Sequence, residues 1–549
     1  MIKLSDDFIA QMRHILPDEC DALLEAITTT EPSVAIRVND GRGISLSDDA
    51  VGRVPWCTTG RYLKERMPFT FDVDFQTGRY YVQDASSMFI HHVIKHVVKE
   101  PVRYLDLCAA PGGKSTQIAA LTDENSFVEL SAFSFSKNDF YGEDTDGEGV
   151  ITGFATILDY PFYIVAQNFK VLCGGISKAQ CDKIAKCIDA AEKNATPVIY
   201  LLNSQGVQLG EGVTALEGLA KVLMRATQLK GVVPQYAVVN GEVYGSLATL
   251  CAIADFTFFT KKSYLAVNSP LVIAAKTGKD VKKEDVGTAQ ALDKTGLVSF
   301  VTEGMEEIRE KIAEITEIVS SPMLDAELND AVPALNNADK LNAAAIAGML
   351  ENAVEVNALC APEAKTYLCR IGGIAAAAVV FDGGENAAEL NAGNLAKVRE
   401  FAEFAACYRL PLVVFSDVAG IAPCACTNNS RVLKEAAEYL NILDTIDTAK
   451  IAVVYKRAVG LGYSLFAAKS AGFDYSCAFA TAKIALFDDV KGAEIEFANE
   501  KADKAALAER YADEKADPVN AAKDGYIDDV IEPQFVKQYL ISALQMLVG

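Results

Sequence analysis

Two junctions carry the groups best suited to chemistry. At Tyr244-Gly245-Ser246, and again at Gly460-Leu461-Gly462-Tyr463, an apolar strand pattern runs into glycine and a helical pattern starts at once. Such a junction leaves the first N–H groups of the helix without intrahelical acceptors. Backbone N–H groups aimed at a reacting oxygen stabilise an enolate or other oxyanion, typically by about 2.7–4 kcal/mol per donor. A tight turn with no ligand explains either junction taken singly. Their paired occurrence points to function. The chain's other residues narrow the options. Its four histidines, His14, His91, His92 and His96, and its one tryptophan, Trp56, all fall within the first 120 residues. The rest of the chain therefore cannot build a Ser-His-Asp triad, a Cys-His pair or a histidine-ligated metal site. Chemistry there must use backbone dipoles, carboxylates, Lys, Tyr or a cofactor.

A third glycine turn lies earlier. Val102 to Leu107 reads as a buried strand, and Cys108-Ala109-Ala110-Pro111-Gly112-Gly113-Lys114-Ser115 follows, with a helix starting near Ser115. Strand, glycine turn and helix N-terminus make an anion- or cofactor-binding element. It is not a P-loop, because the first glycine of that pattern would fall on Cys108. His92 and His96 share a helix face but lack the intervening carboxylate of a metalloprotease helix, so no metal site is expected. Cys424-Ala425-Cys426 offers too few ligands for a metal and reads as free thiols.

The elements that must position the two paired turns occur twice. Val150 to Asn168 alternates like a β-hairpin with its turn near Asp159-Tyr160-Pro161. A helix (Ser177 to Lys193), the strand Pro197 to Leu202 ending at Gly206, a helix (Thr214 to Leu229) and the strand Gln235 to Val239 follow. About 214 residues later the order recurs: an apolar β segment (Leu368 to Asp382), a helix (Asn394 to Tyr408), the strand from Pro411 ending at Gly420, and the strand Lys450 to Tyr455. A repeat of domain size means two copies of one α/β fold. Between them Ser320 to Ala364, rich in Ala, Asn, Asp and Glu, reads as a helical linker. Asn499 to Lys515 reads as a solvated helix ahead of the cap Asp517-Pro518. Near the N-terminus, Leu4 to Leu24 reads as a helix.

Composition agrees with a folded globular protein. The 549 residues, 50% hydrophobic and 23% charged, exclude wholesale disorder, collagen and coiled coil. No apolar run approaches the roughly 18 residues of a membrane helix. The start lacks a basic-then-apolar signal, and 13 cysteines without a C-x-x-C suggest reduced thiols, so a cytoplasmic protein is expected. A net charge of −23 repels phosphate backbones, which makes nucleic acid an unlikely partner.

Two family resemblances refine this. Val54-Pro55-Trp56-Cys57, Thr77 to Met88 and Leu105 to Lys114 resemble the Sun-type RNA 5-methylcytosine methyltransferases. The resemblance implies S-adenosylmethionine at Cys108, Ala109, Pro111, Gly112, Gly113 and Lys114. It stops there: the family's two cysteine motifs and the acidic residue of its second strand do not follow. Residues 1–120 therefore read as a truncated Rossmann-like methyltransferase segment in which the cofactor loop is vestigial. From Asn125 onward the chain resembles the acyl-CoA carboxyltransferases. The resemblance rests on Gly174-Gly175-Ile176-Ser177, Gly206-Val207-Gln208-Leu209-Gly210-Glu211-Gly212, Ala254 to Phe258, Val267 to Pro270 and Gly525 to Pro533. It implies an α/β fold of two tandem crotonase-like ββα superhelix domains: 121–316 for the acyl-CoA, a linker at 317–364, and 365–549 for biotin on a separate carrier protein. It also implies Gly245 and Ser246 as donors to the thioester enolate, and Leu461 and Gly462 as donors to the biotin ureido oxygen. Gly174, Gly175, Gly206, Val207, Gln208 and Gly210 would line the acyl-CoA site. Gln208 stands where the family has arginine, and Ser246 and Leu461 where it has glycine. A homodimer or higher oligomer is implied. An RNA methyltransferase and a non-catalytic scaffold of a decarboxylase complex stay open as alternatives.

Overall fold

The computed structural model divides into two compact units, Met1–Leu105 and Asp106–Gly549. It describes residues 9, 12–14, 19–29, 34–38, 50–64, 80–82 and 85 of the first, and 122–123, 126–132, 148–321, 331–337, 341–384 and 387–548 of the second. The loop Cys108–Lys114 and His91, His92 and His96 lie outside the described residues.

In the first unit a helix α1 (Cys20–Thr29) precedes strands β1 (Val34–Val38), β2 (Ala50–Arg53), β3 (Gly60–Leu63) and β4 (Tyr80–Val82). They form one antiparallel sheet of order β2-β3-β1-β4; the expected Rossmann-like strand Val102 to Leu107 lies outside the described residues. Trp56 donates its indole N–H to the Ala85 carbonyl at 2.6 Å. Val54, Cys57, Ala35 and Ala85 pack beneath it. Within the helix expected over Leu4 to Leu24, residues 9 and 12–14 are helical, and a helix from Cys20 carries on past it to Thr29.

The second unit holds the repeat. Its first sheet is β5 (Val128–Leu130), β6 (Val150–Ile157), β7 (Tyr160–Gln167), β8 (Val198–Ser204), β9 (Gln235–Tyr244), β10 (Phe256–Thr260), β11 (Tyr264–Ala266) and β12 (Phe300–Thr302). The order is β12-β10-β9-β8-β7-β6-β5, with β11 beside β9. β5 to β7 pair antiparallel, and β7 onward pair parallel. The β6–β7 turn is Leu158-Asp159, both residues at positive φ, as a two-residue hairpin requires. Helices α2 (Lys178–Lys193) and α3 (Val213–Leu229) cover one face. Ile184, Ile188, Leu219 and Val222 pack there on Val165 and Tyr200. Ser177 starts α2 by accepting from the Gln180 N–H, and its own hydroxyl donates to Glu148. Helix α4 (Met305–Ser320) leads on to the second copy.

The second sheet comprises β13 (Glu351–Val356), β14 (Ala364–Ile371), β15 (Ile374–Phe381), β16 (Ala388–Leu390), β17 (Leu412–Ile421), β18 (Lys450–Val459), β19 (Tyr475–Phe479), β20 (Lys483–Ala485) and β21 (Asp529–Ile531). Helices α5 (Ala392–Cys407), α6 (Val432–Thr445), α7 (Leu461–Phe466) and α8 (Val536–Val548) are among those that accompany it. The supposed linker is corrected here: β13 falls inside it and pairs antiparallel with β14, as β5 does with β6. The alanine-rich β15 is buried along its whole length, which explains its unbroken apolar run. The expected solvated helix is Lys504–Lys515, and Asp517 caps the next one.

One irregularity recurs. Pairing slips between Leu202 and Ser204 on β8 and between Ser416 and Asp417 on β17. Past each slip the neighbouring strand turns to a new partner: β9 pairs β10 in its first half and β11 in its second, and β18 pairs β19 and then β20. That bend is the step of a superhelix, and it carries the strand ends to the turns. The copies also share core, for Phe404 meets the Phe256 ring edge-on at 4.9 Å.

Candidate active site

The first turn follows β9. Gly245 has φ 80° and ψ −164°, a conformation that side chains resist. Its N–H already donates to the carbonyls of Ala266 and Val267, both at 3.1 Å. A 3-10 turn, Ser246–Ala248, starts immediately, and the Ala248 N–H closes back on the Gly245 carbonyl. The N–H groups at the head of this turn are therefore those of Ser246 and Leu247. Ser246 is exposed and Leu247 buried.

The second turn has the same construction. Gly460, φ 55° and ψ −130°, donates its N–H to the Ala485 carbonyl at 3.0 Å, and the Tyr463 N–H closes on Gly460. Leu461 and Gly462 then present the leading N–H groups of α7. Ala266 ends β11 and Ala485 ends β20, so each acceptor comes from the strand that joins after the slip. By this correspondence Gly245 matches Gly460, a capping residue, and Leu247 matches Gly462. Sequence reading missed Leu247, since only the Ala266 and Val267 carbonyls reveal that the Gly245 N–H is engaged.

The residues expected to line an acyl-CoA site converge on the first turn, with one exception. The Ile176 N–H donates to the Gly206 carbonyl at 2.8 Å, and the Gln208 N–H to the Ile176 carbonyl at 3.0 Å. This bridge sets Gly174-Gly175 beside Gly206-Val207-Gln208. Gln208 Nε2 donates to the Gly175 carbonyl at 3.2 Å. Gly174, φ 65°, is needed for space as well: a Cβ there would lie 2.2 Å from the Asn203 carbonyl oxygen. A Cβ on Gly245 would stand 3.4 Å from the Gly206 Cα, which joins loop to turn. Gly210 is the exception, at the exposed tip next to Leu209, which is 96% exposed. Glu211 returns to the body, accepting the Lys178 N–H at 2.7 Å. One further group was not anticipated. The Tyr244 hydroxyl, at the end of β9, is buried without a hydrogen-bond partner, and burial pushes it up to about 12.

In the second copy the matching loop departs from expectation: Cys424 and Cys426 form a disulfide rather than standing as free thiols. One residue between them lets the two side chains meet across a single turn, and the Cys424 sulfur also accepts the Thr427 N–H. On the rim, Arg457 holds Asp417 through two nitrogens at 2.7 and 3.3 Å, with Asp417 fully buried. The equivalent position of the first copy is Glu242, tied to Gln205 and Lys283. No group of three or more His, Cys, Asp or Glu side chains suited to a metal occurs among the described residues. No helix among them is long and apolar enough to cross a membrane.

With this geometry established, comparison with known proteins is decisive. A family model described as carboxyl transferase domain matches residues 113–549. The chain belongs to that family. A second model, the N-terminal domain of 16S rRNA methyltransferase RsmF, matches residues 4–85, so that match ends before the loop at Cys108–Lys114. Similar proteins include the methylmalonyl-CoA decarboxylase subunit alpha of Veillonella parvula, 29% identical over 80% of this chain and 91% of the relative. The methylmalonyl-CoA carboxyltransferase 12S subunit of Propionibacterium freudenreichii subsp. shermanii is also 29% identical, over 79% and 88%. Among solved structures, transcarboxylase 12S with methylmalonyl-coenzyme A and methylmalonic acid bound superposes with a TM-score of 0.74 at 26% identity, covering 79% of this chain and 89% of that one. That protein is described as a hexamer. The fold is thus the crotonase-like α/β architecture that the family resemblance implied, and the chain is a carboxyltransferase.

Proposed function

We propose that the chain moves a carboxyl group between biotin, carried on a separate protein, and an acyl-coenzyme A thioester, through an enolate held by backbone N–H groups. The carrying observation is the duplicated turn: in both copies a positive-φ glycine has its N–H engaged while the next two N–H groups head a helix. Ser246 and Leu247 N–H receive the thioester oxygen as it takes up negative charge. Leu461 and Gly462 N–H receive the biotin ureido oxygen. Gly245 and Gly460 set the direction of these donors. Gly174, Gly175, Gly206, Val207 and Gln208 form the wall along which the coenzyme A lies, with Gly210 at its rim. Biotin supplies the carboxyl carrier and the nitrogen that exchanges the α-proton. Fixed donors need no reorganisation as charge develops, which is the source of their effect.

This reading sets the enzyme in the cytoplasm and makes it at least a homodimer, with the first copy of one subunit facing the second copy of another. Exposed apolar side chains near the turns of both copies support such a surface: Leu209, Val267 and Leu271 in the first, Leu433 and Leu486 in the second. The test is carboxyl transfer from methylmalonyl-, malonyl- or glutaconyl-coenzyme A to free biotin by the purified chain. Loss of the thioester's carboxyl group that depends on biotin is expected. Absence of transfer from all three overturns the reading.

A further inference from the structure

A cavity of about 450 Å³ lies at the opposite end of the first sheet from the donor turn. It opens where β10 begins, whereas the turn follows the far end of the ten-residue β9. Both copies build its wall, the first through Lys230 and Asp255, the second through Asn357 and the stretch of α5 from Lys397 to Phe404.

The carboxylates of this wall are satisfied. Asp255 accepts from the Tyr408 hydroxyl at 2.7 Å and the Gln235 N–H at 2.8 Å. Glu403 pairs with Lys230 at 2.8 Å, and Glu400 with Arg399 at 3.0 Å. Lys397 is different. It is 4% exposed and has no carboxylate within 4.0 Å among the described residues. Its ammonium donates one hydrogen bond, to the Cys360 carbonyl at 2.8 Å, out of three it can make. Burial accordingly lowers it to about 8. The Cys360 N–H closes a turn on the Asn357 carbonyl at 3.1 Å, and the side-chain oxygen of that same Asn357 is buried with no partner. One turn thus brings to the cavity a cation that lacks an anion and an acceptor that lacks a hydroxyl or N–H donor.

The repeat supplies a control. Lys183, about 214 residues earlier on α2, is 3% exposed and donates to the Val150 carbonyl at 3.0 Å, yet it borders no part of this cavity. Tying down a carbonyl is therefore common to both copies, while the open wall beside the lysine belongs to Lys397 alone.

We propose that this cavity binds a small hydroxylated organic acid, its carboxylate received by Lys397 Nζ and its hydroxyl donating to Asn357 Oδ1. Small-molecule sites of this volume with a few convergent polar groups are common where two lobes meet. Because both copies form the wall, the ligand strengthens their packing. The site is separate from the donor turns, so its test does not depend on the carboxyl-transfer reading.

Thermal unfolding of the full chain is measured in sodium lactate, sodium propionate and sodium chloride at equal ionic strength. Lactate and propionate match in size and differ by the hydroxyl. The expected result is a saturable rise of a few degrees with lactate over chloride, and a smaller rise with propionate. Lys397→Met abolishes the lactate shift, and Lys183→Met keeps it. Asn357→Gly, which suits the left-handed backbone at φ 53° while removing the amide, reduces the lactate shift to that of propionate. A lactate shift no larger than that of chloride, or one that survives Lys397→Met, overturns the proposal. Should Lys397→Met fail to fold, Asn357→Gly decides, and an undiminished lactate shift in it overturns the proposal.

Discussion

Replacing Ser246 by proline removes one backbone N–H and little else. Ser246 opens its 3-10 turn, where the N–H has no intrahelical acceptor and the fixed φ of proline is welcome. Its side chain is exposed, so nothing is lost from the core. If that N–H receives the enolate oxygen, the rate of carboxyl transfer falls about 10²–10³-fold, equivalent to about 2.7–4 kcal/mol. Ser246→Ala keeps the N–H and should keep the rate. Leu461→Pro makes the same deletion at the head of α7 and should act alike. Gly462→Pro is a poorer choice, because any Cβ there would lie 2.5 Å from Val418 Cγ1. The assay is biotin-dependent loss of the carboxyl group from methylmalonyl-coenzyme A, run beside thermal unfolding of each variant. A Ser246→Pro protein that unfolds at the wild-type temperature and transfers carboxyl at the wild-type rate would refute the donor role.

Three other expectations are open to measurement. Gly174→Ala combines a positive φ with a Cβ 2.2 Å from a carbonyl oxygen, and should lower stability by about 2–4 kcal/mol in denaturant titration. Burial raises Asp255 to about 6, against the hydrogen bonds from Tyr408 and the Gln235 N–H. A carboxyl whose folded value exceeds its unfolded value of 3.8 binds protons more strongly when folded, so its cost to stability grows as pH rises from about 4 to 6 and stays above it. Asp255→Asn, which retains an acceptor, should therefore stabilise at pH 8 on the order of 1 kcal/mol and leave stability at pH 3 unchanged, as read by unfolding at both. Light scattering after size exclusion should show a dimer or larger assembly, and a catalytically competent monomer would contradict the shared site.

The repeat was legible because its elements are locally explicit. Ser177 precedes α2 as a capping hydroxyl, and the Val150 to Asn168 pattern alternates around a short turn. Strand ends were less legible. β9 extends to Tyr244 rather than Val239 because Glu242, Val243 and Tyr244 pair with β11, a partner that comes later in the chain. β13 reads as a polar linker because Glu351-Asn352-Ala353-Val354-Glu355-Val356 is an edge strand with one face turned outward. At the site, the residues that the family resemblance implied lie together beside the first turn, Gly210 excepted. Which N–H groups remain available could not be read, since that depends on carbonyls 20 to 25 residues downstream. The buried lysines 183 and 397 were equally opaque, for lysine on a helix otherwise reads as solvated.

Ser246 and Leu461 stand where the resemblance leads one to expect glycine, and the structure accounts for this. In the proposed function, what each position contributes is the backbone N–H, which any residue but proline supplies. Glycine is required one residue earlier, where φ is positive, and both copies retain it there as Gly245 and Gly460. It is required again at Gly462 for a different reason, the approach of Val418. The side chains after the cap are therefore free to vary with what each copy must admit, while the donor geometry stays fixed by the cap and by the carbonyl that holds it. The rims do vary: Glu242 beside the first turn, Arg457 beside the second, and an open glycine loop in one copy where the other has a disulfide. One backbone device within two differently charged rims suits a pair of sites that each hold a developing oxyanion but receive different molecules.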